Sequence, residues 1–145
     1  MVAYVDSSTV LRYVLNGEIQ IQHALALPSV VSSELLNIEC QRALHRCRLT
    51  GELDDDSLVE AYSKLAEVML GITLLELTKP IKARAAETFP LPVKTLDALH
   101  LATLLIYKKA LPVEELLLFS HDKGMNQCGL ALGFTTPLLA ADLRG

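Results

Sequence analysis

Four carboxylates stand where an ordinary apolar core would not put them. Asp6 follows Val2-Ala3-Tyr4-Val5 directly, and Asp122 comes after Leu116-Leu117-Leu118-Phe119-Ser120-His121, so each closes a short apolar run. Asp97 lies in Leu96-Asp97-Ala98-Leu99-His100-Leu101-Ala102. At helical spacing Leu101 and Leu104 fall four and seven residues on, so Asp97 shares its face with leucines and, three on, with His100. Glu39 sits midway along a stretch whose core contacts come from Leu35, Leu36, Ile38, Ala43 and Leu44. An ionised carboxylate among leucines is costly unless a cation or strong donors meet it. Each acid also has an ordinary reading. Asp6 and Asp122 fit helix N-caps, Asp97 fits a first-turn acid stabilised by the helix dipole, and Glu39 fits an ion pair with Arg42 three residues on.

Together the four are harder to explain singly, because the chain shows no obvious buried cation to match them. Carboxylates held ~5 Å apart at an effective dielectric of ~20 repel by roughly 3 kcal/mol a pair. Folding tolerates such a cluster if divalent cations neutralise it, and an all-oxygen ligand set suits Mg²⁺ or Mn²⁺ rather than zinc. The cysteines offer no zinc alternative. Cys40, Cys47 and Cys128 are odd in number and lack a C-x-x-C pair, so they read as reduced thiols in the core of a cytoplasmic protein.

The elements that must position these acids follow from patterning. Val2 to Asp6 reads as a short buried strand, with Ser7-Ser8 capping a helix through about Leu15. A second short helix is expected over Glu18 to Leu27. Pro28 interrupts, and Ser32-Ser33 cap a long helix from about Glu34 to Leu49, ending at Thr50-Gly51. Asp54-Asp55-Asp56 place negative charge at the start of a helix to about Leu70, where the macrodipole favours it. Ile72 to Leu77 is strand-like, Thr78 to about Thr88 a short helix, and Thr95 caps a helix to about Ala110. Leu116 to Phe119 is an apolar strand, Asp122 to about Leu132 a helix, and Gly133 to Leu138 a last short strand. Alternating strands and helices predict an α/β fold: a three-layer α/β/α sandwich around a short parallel sheet of about four to five strands. In such sheets ligands bind beyond the carboxyl ends of the strands, where Asp6 and Asp122 fall.

The 145 residues, without repeat or linker, read as one domain spanning 1–145. Hydrophobic residues make up 51% and the mean hydropathy is +0.35, so the chain has a thorough core or hides apolar surface in a partner. No run reaches the ~18 uncharged apolar residues of a membrane span, and the N-terminus lacks the basic region of a signal peptide. A net charge of −4 argues against a general nucleic-acid coat, although Arg42, His45, Arg46 and Arg48 bunch within one stretch. The stripe Leu58, Tyr62, Leu65 and Met69, widened by Val59 and Ala66, fits either a core helix or a dimer or partner surface.

These residues resemble the PIN-domain family, in particular its VapC-type toxin ribonucleases, along the whole chain. Leu96-Asp97-Ala98-Leu99-His100-Leu101-Ala102-Thr103 is similar to the family's acidic helix motif, and Val5-Asp6-Ser7-Ser8 to its opening strand motif. Glu39-Cys40-Gln41-Arg42-Ala43-Leu44, with Ser33 six residues before, resembles its second acidic motif, and Ser120-His121-Asp122 its fourth. Two departures stand out. Ser120 replaces the usual threonine while keeping the hydroxyl, and Lys123 is followed by Gly124 where further basic residues are common. Glu34 competes with Glu39, but the register of Ser33 and Arg42 favours Glu39.

The resemblance implies endonucleolytic cleavage of RNA by the toxin of a type II toxin–antitoxin pair, a homodimer inhibited by a small antitoxin. It implies that Asp6, Glu39, Asp97 and Asp122 bind Mg²⁺ or Mn²⁺, with Ser8 and Ser120 supporting the ligands through hydrogen bonds. Arg42, Arg46 and Lys94 are then candidates for phosphate contacts, against the plainer reading of solvated helix faces. Rival readings are a PIN-like interaction module with vestigial acids, or a metal-dependent phosphatase of the haloacid-dehalogenase kind. The latter needs a second aspartate two residues after the first, where this chain has Ser8. No G-x-x-x-x-G-K-[ST], G-x-G-x-x-G or G-x-S-x-G motif is present.

Overall fold

The apolar runs become the strands of a parallel sheet. A computed structural model describes residues 1–139; the last residues of the expected 1–145 domain, 140–145, lie outside the described ones. Val2–Val5 (β1) is buried at every position, as a strand covered on both faces must be. It pairs in parallel with Ser29–Ser33 (β2) on one side and Leu116–Phe119 (β4) on the other, and Thr73–Leu75 (β3) adds to β2, giving the order β3-β2-β1-β4. The chain thus lays down β1, β2 and β3 in one direction and returns to place β4 beside β1. The order reverses between β1 and β4, which is where an open α/β sheet has its crevice.

Alternation along the strands feeds two cores. Ala3 and Val5 point into one, with Val10, Ile21, Leu36, Leu44 and Leu65 from the helices Ser7–Asn16 (α1), Gln20–Leu25 (α2), Leu35–Leu49 (α3) and Asp55–Met69 (α4). Val2, Tyr4 and Leu118 point into the other, with Leu101 and Leu104 of Thr95–Ala110 (α6) and Met125 and Cys128 of Lys123–Ala131 (α7). Lys79–Ala85 (α5) packs against α6. The result is the expected three-layer α/β/α arrangement. No helix among the described residues is long and apolar enough to cross a membrane.

Several expectations need correction. The segment after Pro28 is a strand, β2, not merely the approach to a helix. Its serines are buried but satisfied: Ser32 donates its hydroxyl proton to the Val5 carbonyl at 2.6 Å, and Ser33 accepts the Leu35 N–H at 3.2 Å. The cap of α1 is Asp6, whose carboxylate accepts the Thr9 N–H, not Ser7-Ser8. Thr95 is the first residue of α6 rather than its cap; Lys94 occupies that position without a side-chain bond. The Gly133 to Leu138 segment is not a strand. It makes one parallel bridge, Thr135 to Leu117, before Pro137 turns the chain into a helical conformation. The second helix is shorter than Glu18 to Leu27, and α5 stops before Thr88. Cys40 and Cys128 are buried free thiols as expected, but Cys47 is partly exposed beside Glu52.

Gly129 sets how closely α7 approaches β4. A Cβ there would lie 2.7 Å from Cδ2 of Leu118, a side chain with no exposure. Overpacking of this kind costs about 1–3 kcal/mol, against a helix-propensity gain of up to about 1 kcal/mol. Gly129→Ala should therefore lower stability by about 1 kcal/mol net, read from the urea midpoint; a stabilised variant would mean that the α7–β4 contact has room to spare.

Candidate active site

The β1–β4 register builds the floor of the site. Val5 pairs with Phe119, so the residues just beyond them, Asp6 and Ser120, emerge side by side, and the Asp6 N–H donates to the Phe119 carbonyl at 3.3 Å. Asp6 is buried. Its Oδ1 accepts the Ser8 hydroxyl at 2.6 Å and the Thr9 N–H at 3.3 Å, while Oδ2 accepts the Ser120 hydroxyl at 2.5 Å. Burial pushes the Asp6 carboxyl above its ordinary pKa; the Ser120 and Ser8 donors oppose this. The two serines also join the loops. Ser8 Oγ accepts the His121 N–H at 2.9 Å, Ser120 Oγ accepts the Asp122 N–H at 3.0 Å, and Thr9 donates its hydroxyl proton to the Phe119 carbonyl at 2.9 Å. Behind them, buried Asn126 donates Nδ2–H to the Ser120 carbonyl at 2.7 Å.

The other acids arrive from three helices. Asp122 caps α7, accepting the Met125 N–H at 2.9 Å through Oδ1. Asp97 enters from the first turn of α6, half-buried. Its pKa is pushed up to about 6, by burial first and then by repulsion from Asp122 and Asp6; His100 lowers it and Glu39 raises it. Asp6, Glu39, Asp97 and Asp122 therefore lie within one electrostatic neighbourhood, although they come from four different elements. Glu39, in mid-α3, does not pair with Arg42. Its Oε1 meets Nε2 of His100 at 2.5 Å, and its Oε2 accepts the Ser7 hydroxyl at 3.4 Å. On its other side, Nδ1 of His100 lies 2.7 Å from the Tyr4 hydroxyl. Among the described residues no trio of His, Cys, Asp or Glu closes into a ready-made metal cage. The donor set is nonetheless all oxygen and the acids repel one another, features that fit a hard cation.

The rival glutamate is occupied elsewhere: Glu34 is exposed and its Oε1 accepts the Leu77 N–H at 3.0 Å, tying α3 to the chain after β3. Arg42 and Arg46, one turn apart, line a groove of about 320 Å³ together with Ser7, Glu39 and Leu96. Neither has a carboxylate partner among the described residues, whereas Arg48 is held by Asp55 at 2.6 Å. Lys94 is exposed at the start of α6, three residues before Asp97. The contacts that sequence reasoning missed are those of His100 and Tyr4. The helical spacing of His100 from Asp97 placed it on the right face, but only the strand alternation of Tyr4 with Asp6 hinted at its partner.

The raised pKa of Asp97 makes a signed prediction for the metal-free chain. With a folded-state pKa of about 6 against an ordinary 3.8, folding disfavours the ionised form. That penalty is fully present above the folded pKa and relieved as pH falls below it. Asp97→Asn should therefore be more stable than the parent at about pH 8 in EDTA, with the advantage shrinking towards about pH 4. Denaturation midpoints across this range check it, and a variant weaker at every pH would make Asp97 a structural cap.

No curated protein matches the chain in sequence. Among solved structures it is similar to the crystal structure of PAE2754 from Pyrobaculum aerophilum, with a TM-score of 0.64 and 18% identity over 98% of this chain and 88% of that one. At that identity the likeness speaks to the fold. The model of the PIN domain family matches residues 3–128, a span that holds all four acids. With a match over most of its length, the chain belongs to the PIN domain family, whose members are typically nucleases.

Proposed function

We propose that this PIN domain is a Mg²⁺- or Mn²⁺-dependent endoribonuclease, the cytoplasmic toxin of a type II toxin–antitoxin pair. The observation that carries the reading is the convergence of four carboxylates at the switch point of the sheet, where burial first and then repulsion from Asp122 and Asp6 push Asp97 up to about 6. Asp6, Glu39, Asp97 and Asp122 would hold the cation. The chemistry such an ion supplies is neutralisation of charge on the phosphate and acidification of water at neutral pH. The chain's own part is positional. Ser8 and Ser120 orient Asp6, the N-terminus of α7 orients Asp122, and positive charge near Asp97 would lower its raised pKa and favour its ionised form. Arg42 and Arg46 fit the phosphates flanking the cleaved bond, since a guanidinium binds phosphate oxygens bidentately and the groove joins both to Glu39. Lys94 would add a weaker point charge beside Asp97.

The choice of RNA and the toxin role, with a small antitoxin as inhibitor and a homodimer as the working form, rest on the resemblance to VapC-type toxins. An exposed apolar strip on α4, with Val59 and Tyr62 followed by Leu70, suits the dimer contact. The phosphatase alternative loses ground, because Ser8, standing where a second aspartate is needed, is spent holding Asp6. An inactive interaction module is the remaining rival. It predicts a chain that takes up no Mn²⁺ at submillimolar concentration and cuts nothing.

Purified protein with Mn²⁺ should cleave total RNA, and Asp97→Asn or Glu39→Gln should abolish cleavage with secondary structure intact. Glu34→Gln keeps a carbonyl acceptor for Leu77 and should retain most activity. The reverse pattern between the two glutamates would show that Glu34 belongs to the site. Arg46→Ala should weaken RNA binding and lower the salt slope by roughly 0.7, the loss of one single-strand phosphate contact. An unchanged slope would move the RNA path elsewhere on the domain.

A further inference from the structure

The hydrogen-bonded chain Tyr4–His100–Glu39 crosses from the sheet to α6 and on to α3, and no motif reading accounts for it. His100 is 1% exposed and Tyr4 is fully buried, so neither ring can turn to water for a partner. The three groups fix one another's roles. A phenol with an ordinary pKa near ~10 is a donor at neutral pH, and burial of Tyr4 raises it further. A carboxylate only accepts. His100 therefore donates Nε2–H to Oε1 of Glu39, while its Nδ1 is bonded to the Tyr4 hydroxyl. Both ring nitrogens are thereby satisfied. Its plane is held edge-on to Tyr4, with ring centroids 5.8 Å apart at 83°.

We infer that His100, oriented by Tyr4, is a positioning residue that turns Glu39 so that Oε1 is committed to the imidazole and Oε2 is presented to the cation. Among the described residues Oε2 accepts only the long 3.4 Å bond from Ser7, so it is the oxygen available for ligation. Glu39 is the acid that most needs such help. Asp6 is gripped by two serines and Asp122 by the N-terminus of its own helix, whereas Glu39 is in mid-helix on a longer side chain. The inference rests on the cation-binding reading of the acid cluster. Groups that orient a metal ligand in this way are worth about 10- to 100-fold in metal affinity.

Two measurements on the full chain test it. Long-range ¹H–¹⁵N correlation on the metal-free parent should show His100 with a proton on Nε2; a ring whose Nε2 carries no proton overturns the inference. Mn²⁺ affinity, read from the EPR signal of the free ion, should fall about 10-fold or more in His100→Leu. Tyr4→Phe should weaken it as well. His100→Gln, whose amide N–H sits close to the position of Nε2, should restore affinity towards the parent. A purely structural His100 would lower the melting temperature of the metal-free protein while leaving Mn²⁺ affinity unchanged, and that result sinks the positioning role alone. A parent that takes up no Mn²⁺ sinks the cation reading beneath it, and this role with it. If His100→Leu fails to fold, the Nε2 proton in the parent and the Tyr4→Phe affinity still decide.

Discussion

Much of this structure is organised around one costly act, the burial of a carboxylate at the end of the first strand. Asp6 is almost wholly enclosed, and the low-dielectric surroundings disfavour its ionised form. Left there unaided it would unfold the chain or take up a proton. The Ser8 and Ser120 hydroxyls, the Thr9 N–H and the N-terminal end of α1 all converge on it. Those donors come from both sides of the β1–β4 junction, so satisfying Asp6 also welds the two loops at the switch point. The register Val5 to Phe119, the bond from Thr9 to the Phe119 carbonyl and the bond from Asn126 to the Ser120 carbonyl belong to the same construction.

The ordinary and the chemical readings of the acids prove compatible. Asp6 and Asp122 do cap helices, each through one oxygen. Capping fixes the carboxylate's plane and leaves the other oxygen with a defined heading, which is what a ligand requires. A cap that only terminated a helix would need no neighbour of its own charge, and these acids have several. Asp97 is pushed up to about 6 by burial first and then by repulsion from Asp122 and Asp6, and the repulsion is no part of helix-end chemistry.

The acids and the sheet were legible because both leave a local mark. A charge at the end of an apolar run or on an apolar helix face breaks a pattern, and four such breaks in family order mark a candidate site. What stayed hidden depended on pairing across the chain. In β2 the two valines are flanked by serines that look like helix caps, and only the carbonyl of Val5 reveals why Ser32 can be buried. The Gly133 to Leu138 segment has the composition of a strand but has one backbone position for pairing before Pro137. Glu39, rather than Glu34, lies near the other acids, and its partner could not be read locally. The ordinary reading paired it with Arg42 three residues on, whereas His100, sixty-one residues away, holds it.

The placement of the arginines follows from the same electrostatics. A chain of net charge −4 that gathers four acids at one point repels a polyanion from that point. Arg42 and Arg46 share a groove with Glu39 without pairing with it, since Glu39 is engaged by His100 instead. Had Arg42 paired with Glu39, both groups would be spent, the arginine lost to phosphate and the glutamate to a cation. A histidine that takes up one oxygen of Glu39 leaves the arginine and the other oxygen available. The buried imidazole thus engages Glu39 and leaves Arg42 and Arg46 without a carboxylate partner among the described residues in the groove that the three share.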